Sequence, residues 1–202
     1  MVAARTQEQY QVRFAWGTAG ADRIAHGTHL VVWVDVLPEP SGGGADPAAR
    51  ARAAAALLPD GPEVVLGHLA NAAAVAERVT SLQAERGDRC VVAVVAAGRT
   101  ADGAATVADA AGEPSDVAET PEPAVEDLLA AGAVVDALVT VGIDHTSPEA
   151  AAACAAYTGL RRAVKHLVTA AEGATDLDRE TVHAALAAGP ELVVLRESGM
   201  RA

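Results

Sequence analysis

Two short apolar runs constrain this chain more than any other feature. Leu30-Val31-Val32-Trp33-Val34 leads directly to Asp35, and Cys90-Val91-Val92-Ala93-Val94-Val95-Ala96-Ala97 leads to Gly98. Both are short for helices and rich in β-branched valine, so each predicts a central strand buried on both faces. Asp35 arrives near the carboxyl end of the first. Burying a carboxylate without a partner costs several kcal/mol, so Asp35 is expected at the sheet edge, facing a cleft, a cation or backbone donors. In open α/β sheets the crevice beyond the carboxyl ends of the strands is where ligands bind. If the two runs are parallel neighbours, the end of the second lies near Asp35.

The rest of the chain alternates around these runs. Residues 10–16 alternate apolar and polar, predicting a strand with one wet face, and Gly17 to Gly20 turn into a short helix ending near His26. A helix over residues 47–58 has Asp46 as its cap and Pro47 in its first turn. Pro59-Asp60-Gly61-Pro62 is a turn, residues 63–69 a strand, and Asn71 a cap for a helix over 72–86 ended by Gly87. Residues 99–121 show no sustained apolar period. A helix over 123–141 carries Glu126 and Asp127 in its first turns, and Ser147-Pro148-Glu149 opens another running to Ala171, with Gly159 a candidate break. A helix over 177–188, capped by Asp178, and a strand over 191–196 complete the order. Strand, helix, strand, helix, strand is the α/β signature. At 202 residues we read one domain, 1–202. Apolar residues make up 51% but aromatics 2%, so the core must be Ala, Val and Leu packed closely.

Charge narrows the function classes. A net charge of −12 argues against a nucleic-acid surface, which needs a basic patch, and against an anionic membrane. An anionic ligand would need a bound cation or a local arginine to reverse the sign, which favours a divalent metal. The start lacks a signal-like apolar segment, and no run has the roughly 20 apolar residues of a spanning helix, so a cytoplasmic location is expected. Cys90 and Cys154 form neither a disulfide framework nor a zinc pattern.

The glycines after Asp35, with Ser41, Gly42 and Gly43 at their start, let backbone N–H groups approach an anion. A nucleotide-hydrolase phosphate loop would need a lysine near Gly44, and a dehalogenase-like nucleophile an aspartate where Leu37 stands. Neither is present. Carboxylate plus anion-tolerant backbone stays open against the plainer reading of a capped turn and a connector. Glu126 or Asp127 could complete a site with Asp35, or simply answer the helix dipole; Arg99 could meet a phosphate or sulfonate, or be solvated. The histidines show no metal-binding pair at helical spacing, and no serine-nucleophile elbow occurs.

Phe14-Ala15-Trp16-Gly17, Val31-Val32-Trp33-Val34-Asp35-Val36-Leu37, Leu69-Ala70-Asn71-Ala72-Ala73-Ala74-Val75-Ala76, Val94-Val95-Ala96-Ala97-Gly98 and Ala124-Val125-Glu126-Asp127-Leu128-Leu129-Ala130-Ala131-Gly132-Ala133 follow a familiar order. In this the chain resembles the 2-phosphosulfolactate phosphatase family over most of its length. Ser147-Pro148-Glu149-Ala150 and residues 192–200 are similar to its actinobacterial branch. The resemblance implies a three-layer α/β/α sandwich with a mixed, mostly parallel sheet. It further implies a magnesium-dependent phosphatase that releases phosphate from 2-phosphosulfolactate in coenzyme M biosynthesis. Asp35 is then the catalytic residue and, with Glu126 and Asp127, a magnesium ligand; Asn71 and Gly98 border the substrate pocket, which Ser41, Gly42, Gly43 and Arg99 would complete.

The chain also departs from that pattern. Pro38-Glu39-Pro40-Ser41-Gly42 stands where the family has a Ser/Thr-rich stretch, and a Ser-Pro-Asn-Gly segment before Asn71 is missing. Ala96 and Ala130 replace cysteines. A lost transition-state donor is worth about 3 kcal/mol. Two readings follow: a phosphatase of small anionic phosphomonoesters, or a catalytically inactive relative that binds an anionic metabolite or a protein partner. The alanine-rich surface of residues 149–156 is compatible with a homodimer, and equally with packing inside a monomer.

Overall fold

Both valine-rich runs lie in the middle of a five-stranded sheet of order β1-β4-β2-β3-β5. The structure is a computed structural model and describes residues 6–38, 47–99 and 121–199. Ser41, Gly42, Gly43, the Asp46 cap and most of 99–121 lie outside them. The strands are β1 (Val12–Trp16), β2 (Leu30–Val34), β3 (Glu63–Gly67), β4 (Val92–Ala96) and β5 (Val193–Arg196). The helices are α1 (Gly17–Ile24), α2 (Pro47–Ala55), α3 (Ala72–Arg86), α4 (Val125–Thr140), α5 (Pro148–Leu160), α6 (Val164–Thr169) and α7 (Arg179–Leu186). The first four strands are parallel and β5 joins β3 antiparallel, giving the mixed, mostly parallel sheet of an α/β fold.

Alternation along each strand divides the apolar side chains between two cores. Leu30, Val32 and Val34 pack with Val75 of α3, Leu129 and Val134 of α4 and Ala150 of α5. Val31 and Trp33 pack instead with Ile24 of α1 and Ala51 and Ala55 of α2. Small residues let the helices approach closely: a Cβ on Gly132 of α4 would stand 2.2 Å from the Ala153 carbonyl oxygen of α5.

One sequence expectation is corrected in β1. Its alternation suggested a wet face, yet residues 12–15 are all buried. Arg13 is only 3% exposed. Its Nη1 donates to the Ile24 and His26 carbonyls at 2.8 and 2.9 Å, its Nε to Tyr10 O at 3.2 Å and its Nη2 to Glu8 O at 3.3 Å. A polar residue holding backbone carbonyls has the same pattern in sequence as one facing water. Likewise buried, Glu63 opens β3 and pairs with Arg78 of α3 at 2.6 Å.

The helix caps follow the sequence at two places. Ser147 Oγ accepts the Ala150 N–H, and Asp178 accepts the Thr181 N–H at 2.7 Å. The helix expected to reach residue 171 instead ends at Leu160, one residue past Gly159, and α6 resumes at Val164. Among the described residues no helix is long and apolar enough to cross a membrane.

Candidate active-site cleft

Register brings three strand ends level. Ala96 of β4 is opposite Trp16 of β1 on one side and Val34 of β2 on the other. Beyond this line the Ala97 N–H still donates to Val34 O at 2.8 Å, so Asp35 and Gly98 emerge side by side, as the parallel pairing required. After β2 the chain goes to α2, which contributes to one core; after β4 it goes to α4, which contributes to the other. The crevice between two such diverging exits is the usual ligand position in an open α/β sheet. A cleft of about 460 Å³ opens there.

Asp35, Gly98, Arg99, Glu126 and Asp127 all line this cleft, with Gly17, Thr18, Trp33 and Leu37. The last wall is a short 3-10 helix, Glu172–Ala174. Of the charged side chains among the described lining residues, Asp35, Glu126, Asp127, Glu172 and Asp176 are acidic and only Arg99 is basic.

The Glu126–Asp127 pair reaches the cleft because residues 99 and 122 close on each other. Arg99 and Glu122 exchange two backbone hydrogen bonds of 2.9 Å, and α4 starts three residues later. Its first turn therefore points both carboxyl groups at the strand ends, even though adjacent helical residues diverge by about 100°. Asp127 is 3% exposed. Its Oδ1 accepts the Val36 N–H at 2.8 Å and its Oδ2 the Gly98 N–H at 3.0 Å, so it ties the ends of β2 and β4 together. Gly98 makes this contact with φ of +71°, a left-handed conformation, and a Cβ there would lie 2.6 Å from the Glu122 carbonyl oxygen. Burial, then the neighbouring Asp35, hold the Asp127 carboxyl well above the ordinary aspartate range, against the opposing pull of the two amides.

Glu126 is also 3% exposed, and burial pushes its carboxyl upward; Arg99 works in the other direction. Gly173 makes room for it, since a Cβ there would stand 2.4 Å from Glu126 Oε1. Asp35 keeps its side chain 20% exposed and meets Arg50 Nη2 of α2 at 3.4 Å. Arg99 pairs with Glu172 at 3.1 Å and approaches Glu122 at 3.7 Å.

Asn71 is a correction. It stands at the start of α3 but its side chain does not cap the helix. Fully buried, it accepts the His68 N–H at 2.9 Å and donates to Leu66 O at 2.9 Å and Glu191 O at 3.4 Å, so it closes the turn after β3 and is not among the residues lining the cleft.

Trp33, Arg50 and the Glu172–Gly173 corner were not expected here from the sequence. A tryptophan inside a valine run reads as core, and nothing in the order of residues marks an arginine 15 positions after Asp35 as its partner.

Magnesium prefers hard oxygen ligands and is commonly held by one or two carboxylates, with phosphate and water oxygens completing its shell. The donor set of Asp35, Glu126 and Asp127 fits that chemistry. Among the described residues no three Asp, Glu, His or Cys side chains are already grouped to hold a metal ion by themselves. Asp127 has each oxygen committed to one amide, and Asp35 meets Arg50. No protein-family model matches the chain, and no curated protein matches it.

Proposed function

We propose that the chain is a magnesium-dependent phosphatase acting on a small, multiply anionic phosphomonoester, with 2-phosphosulfolactate the substrate suggested by the family resemblance. The observation that carries this reading is the set of three carboxylates, Asp35, Glu126 and Asp127, lining one cleft at the ends of β2 and β4. Carboxylates kept together at a strand-end crevice repel one another, and a divalent cation is the simplest partner that relieves the repulsion.

Asp35 and Glu126 would hold the ion, which supplies charge neutralisation at the phosphoryl oxygens. Asp127 fixes the crevice by bridging Val36 and Gly98. Arg99, held by Glu172 at the rim, brings positive charge to an incoming anion.

A second reading, a binding protein without catalysis, is favoured by one specific observation. Asp127 is engaged with two backbone amides and Asp35 with Arg50, so both have structural work without a metal. Phosphate release from a panel of small phosphomonoesters, including 2-phosphosulfolactate, with magnesium or with EDTA, separates the two. Turnover that needs magnesium and falls at least about 100-fold in D35N is expected. Equal turnover in EDTA, or an unchanged D35N, removes the metal mechanism. Binding of these esters with no phosphate release leaves the non-catalytic reading.

A further inference from the structure

Two buried donors beside Asp35 have no acceptor. Trp33 is 5% exposed, lines the cleft, and its indole Nε1 is buried with no hydrogen-bond partner; the same holds for Nη1 of Arg50. Trp33 lies two residues before Asp35 along the chain, and Arg50, which is not among the cleft-lining residues, meets Asp35 Oδ2 through its other terminal nitrogen. Buried polar groups in folded proteins are nearly always satisfied, so an unpartnered indole N–H on a residue that lines the cleft marks a place where an acceptor belongs. An indole N–H can only donate, and a guanidinium can only donate and carries positive charge, so the fitting partner is an anionic oxygen.

We infer that the Trp33 indole N–H, supported by the charge of Arg50, receives an oxyanion of the ligand in the cleft, and that Trp33 is thus a binding residue of this chain. The inference rests on the cleft being the ligand site proposed above, and not on hydrolysis taking place there. A phenylalanine at 33 would keep an aromatic ring in the core shared with Ala51 and Ala55 but offer no donor. The oxyanion can be a phosphate, a sulfonate or a carboxylate; their shared chemistry is a compact group of acceptor oxygens.

The chain has two tryptophans, Trp16 and Trp33, and so two indole N–H resonances in the 15N-labelled protein, assigned by W33F. The 202-residue chain is titrated with inorganic phosphate, methanesulfonate and acetate, each with magnesium and with EDTA. The expected result is a downfield move of the Trp33 resonance with at least one of them while Trp16 stays in place, and about tenfold weaker binding of that anion to W33F by calorimetry. The anion acting at the lowest concentration identifies the oxyanion received. A Trp33 resonance unmoved by all three, in both conditions, overturns the inference, as does W33F binding that anion as tightly as wild type. Should W33F fail to fold, the wild-type resonance, then assigned through sequential backbone connectivity, decides alone. A moving indole without ester turnover supports this inference and removes the hydrolase reading; turnover with an unmoved indole does the reverse.

Discussion

Replacing Asp127 tests whether a buried carboxylate truly ties β2 to β4. In D127A the Val36 N–H, which is buried, and the Gly98 N–H, which is partly so, both lose their acceptor. An orphaned buried donor costs about 1–3 kcal/mol, so D127A should lose about 2–4 kcal/mol, a large part of the stability of a single domain. D127N keeps one acceptor oxygen and sheds the buried charge, so its loss should be smaller, about 1–2 kcal/mol at pH 7.

The pH dependence has a definite sign. Burial, then Asp35, raise the Asp127 carboxyl in the folded protein, so the folded state favours its protonated form. The stability this contributes is fully present below the ordinary aspartate range and is lost as pH climbs through the raised value, by at most about 1.4 kcal/mol per pH unit for one proton. D127N has no such proton. Its deficit relative to wild type should therefore be largest in acid and narrow toward pH 8. Glu126 is raised too and is one of the charges that raise Asp127, so the two carboxyl groups contribute to the pH dependence together. Urea unfolding of wild type, D127N and D127A in EDTA buffer across pH 4.5–8 measures all of this. A D127A protein within about 0.5 kcal/mol of wild type, or a gap between D127N and wild type that does not change with pH, refutes the reasoning.

Two further predictions address the frame around the cleft. R13M leaves the buried carbonyl of Ile24 and the partly buried carbonyl of His26 without their donor, and urea unfolding should show a loss of about 2–3 kcal/mol; a loss under 1 kcal/mol would mean that water replaces the guanidinium. Cys90 is fully buried and its thiol is pushed up to about 12, chiefly by burial. An aromatic disulfide reagent at pH 8 should label no more than one thiol in the native protein, Cys154, and two in denaturant; rapid labelling of Cys90 would contradict its burial.

Element order was legible because its signals are local. Valine runs, the Ser147 and Asp178 caps and the stop at Gly87 each act within a few residues, and each appears in the structure. Strand order is a different matter, since β1 and β2 are both neighbours of β4 through contacts about 60 to 80 residues apart, which no local pattern encodes. The cleft shows the same division. Asp35 and Gly98 could be placed because strand ends are where such residues gather, whereas Asn71 read as a helix cap and a pocket residue although its amide closes its own turn. Arg13 misled for a related reason: a side chain satisfied by distant carbonyls looks, in sequence, like one satisfied by water.

The position of Asp127 links fold and chemistry. Neighbouring strands whose chains leave toward different cores cannot continue their ladder, and the N–H groups just beyond it, on Val36 and Gly98, need acceptors. Asp127 supplies them from the first turn of α4, and in doing so brings Glu126 with it, since the two are joined in sequence. The crevice that results carries more negative charge than Arg99 and Arg50 can balance, on a chain already at −12. An anionic ligand is admitted to such a place only with a cation to accompany it, or with donors kept dry and waiting as Trp33 Nε1 is. The dependence of phosphate binding on magnesium in wild type and W33F separates these two contributions: the ion should set whether the anion enters, and the indole how firmly it stays.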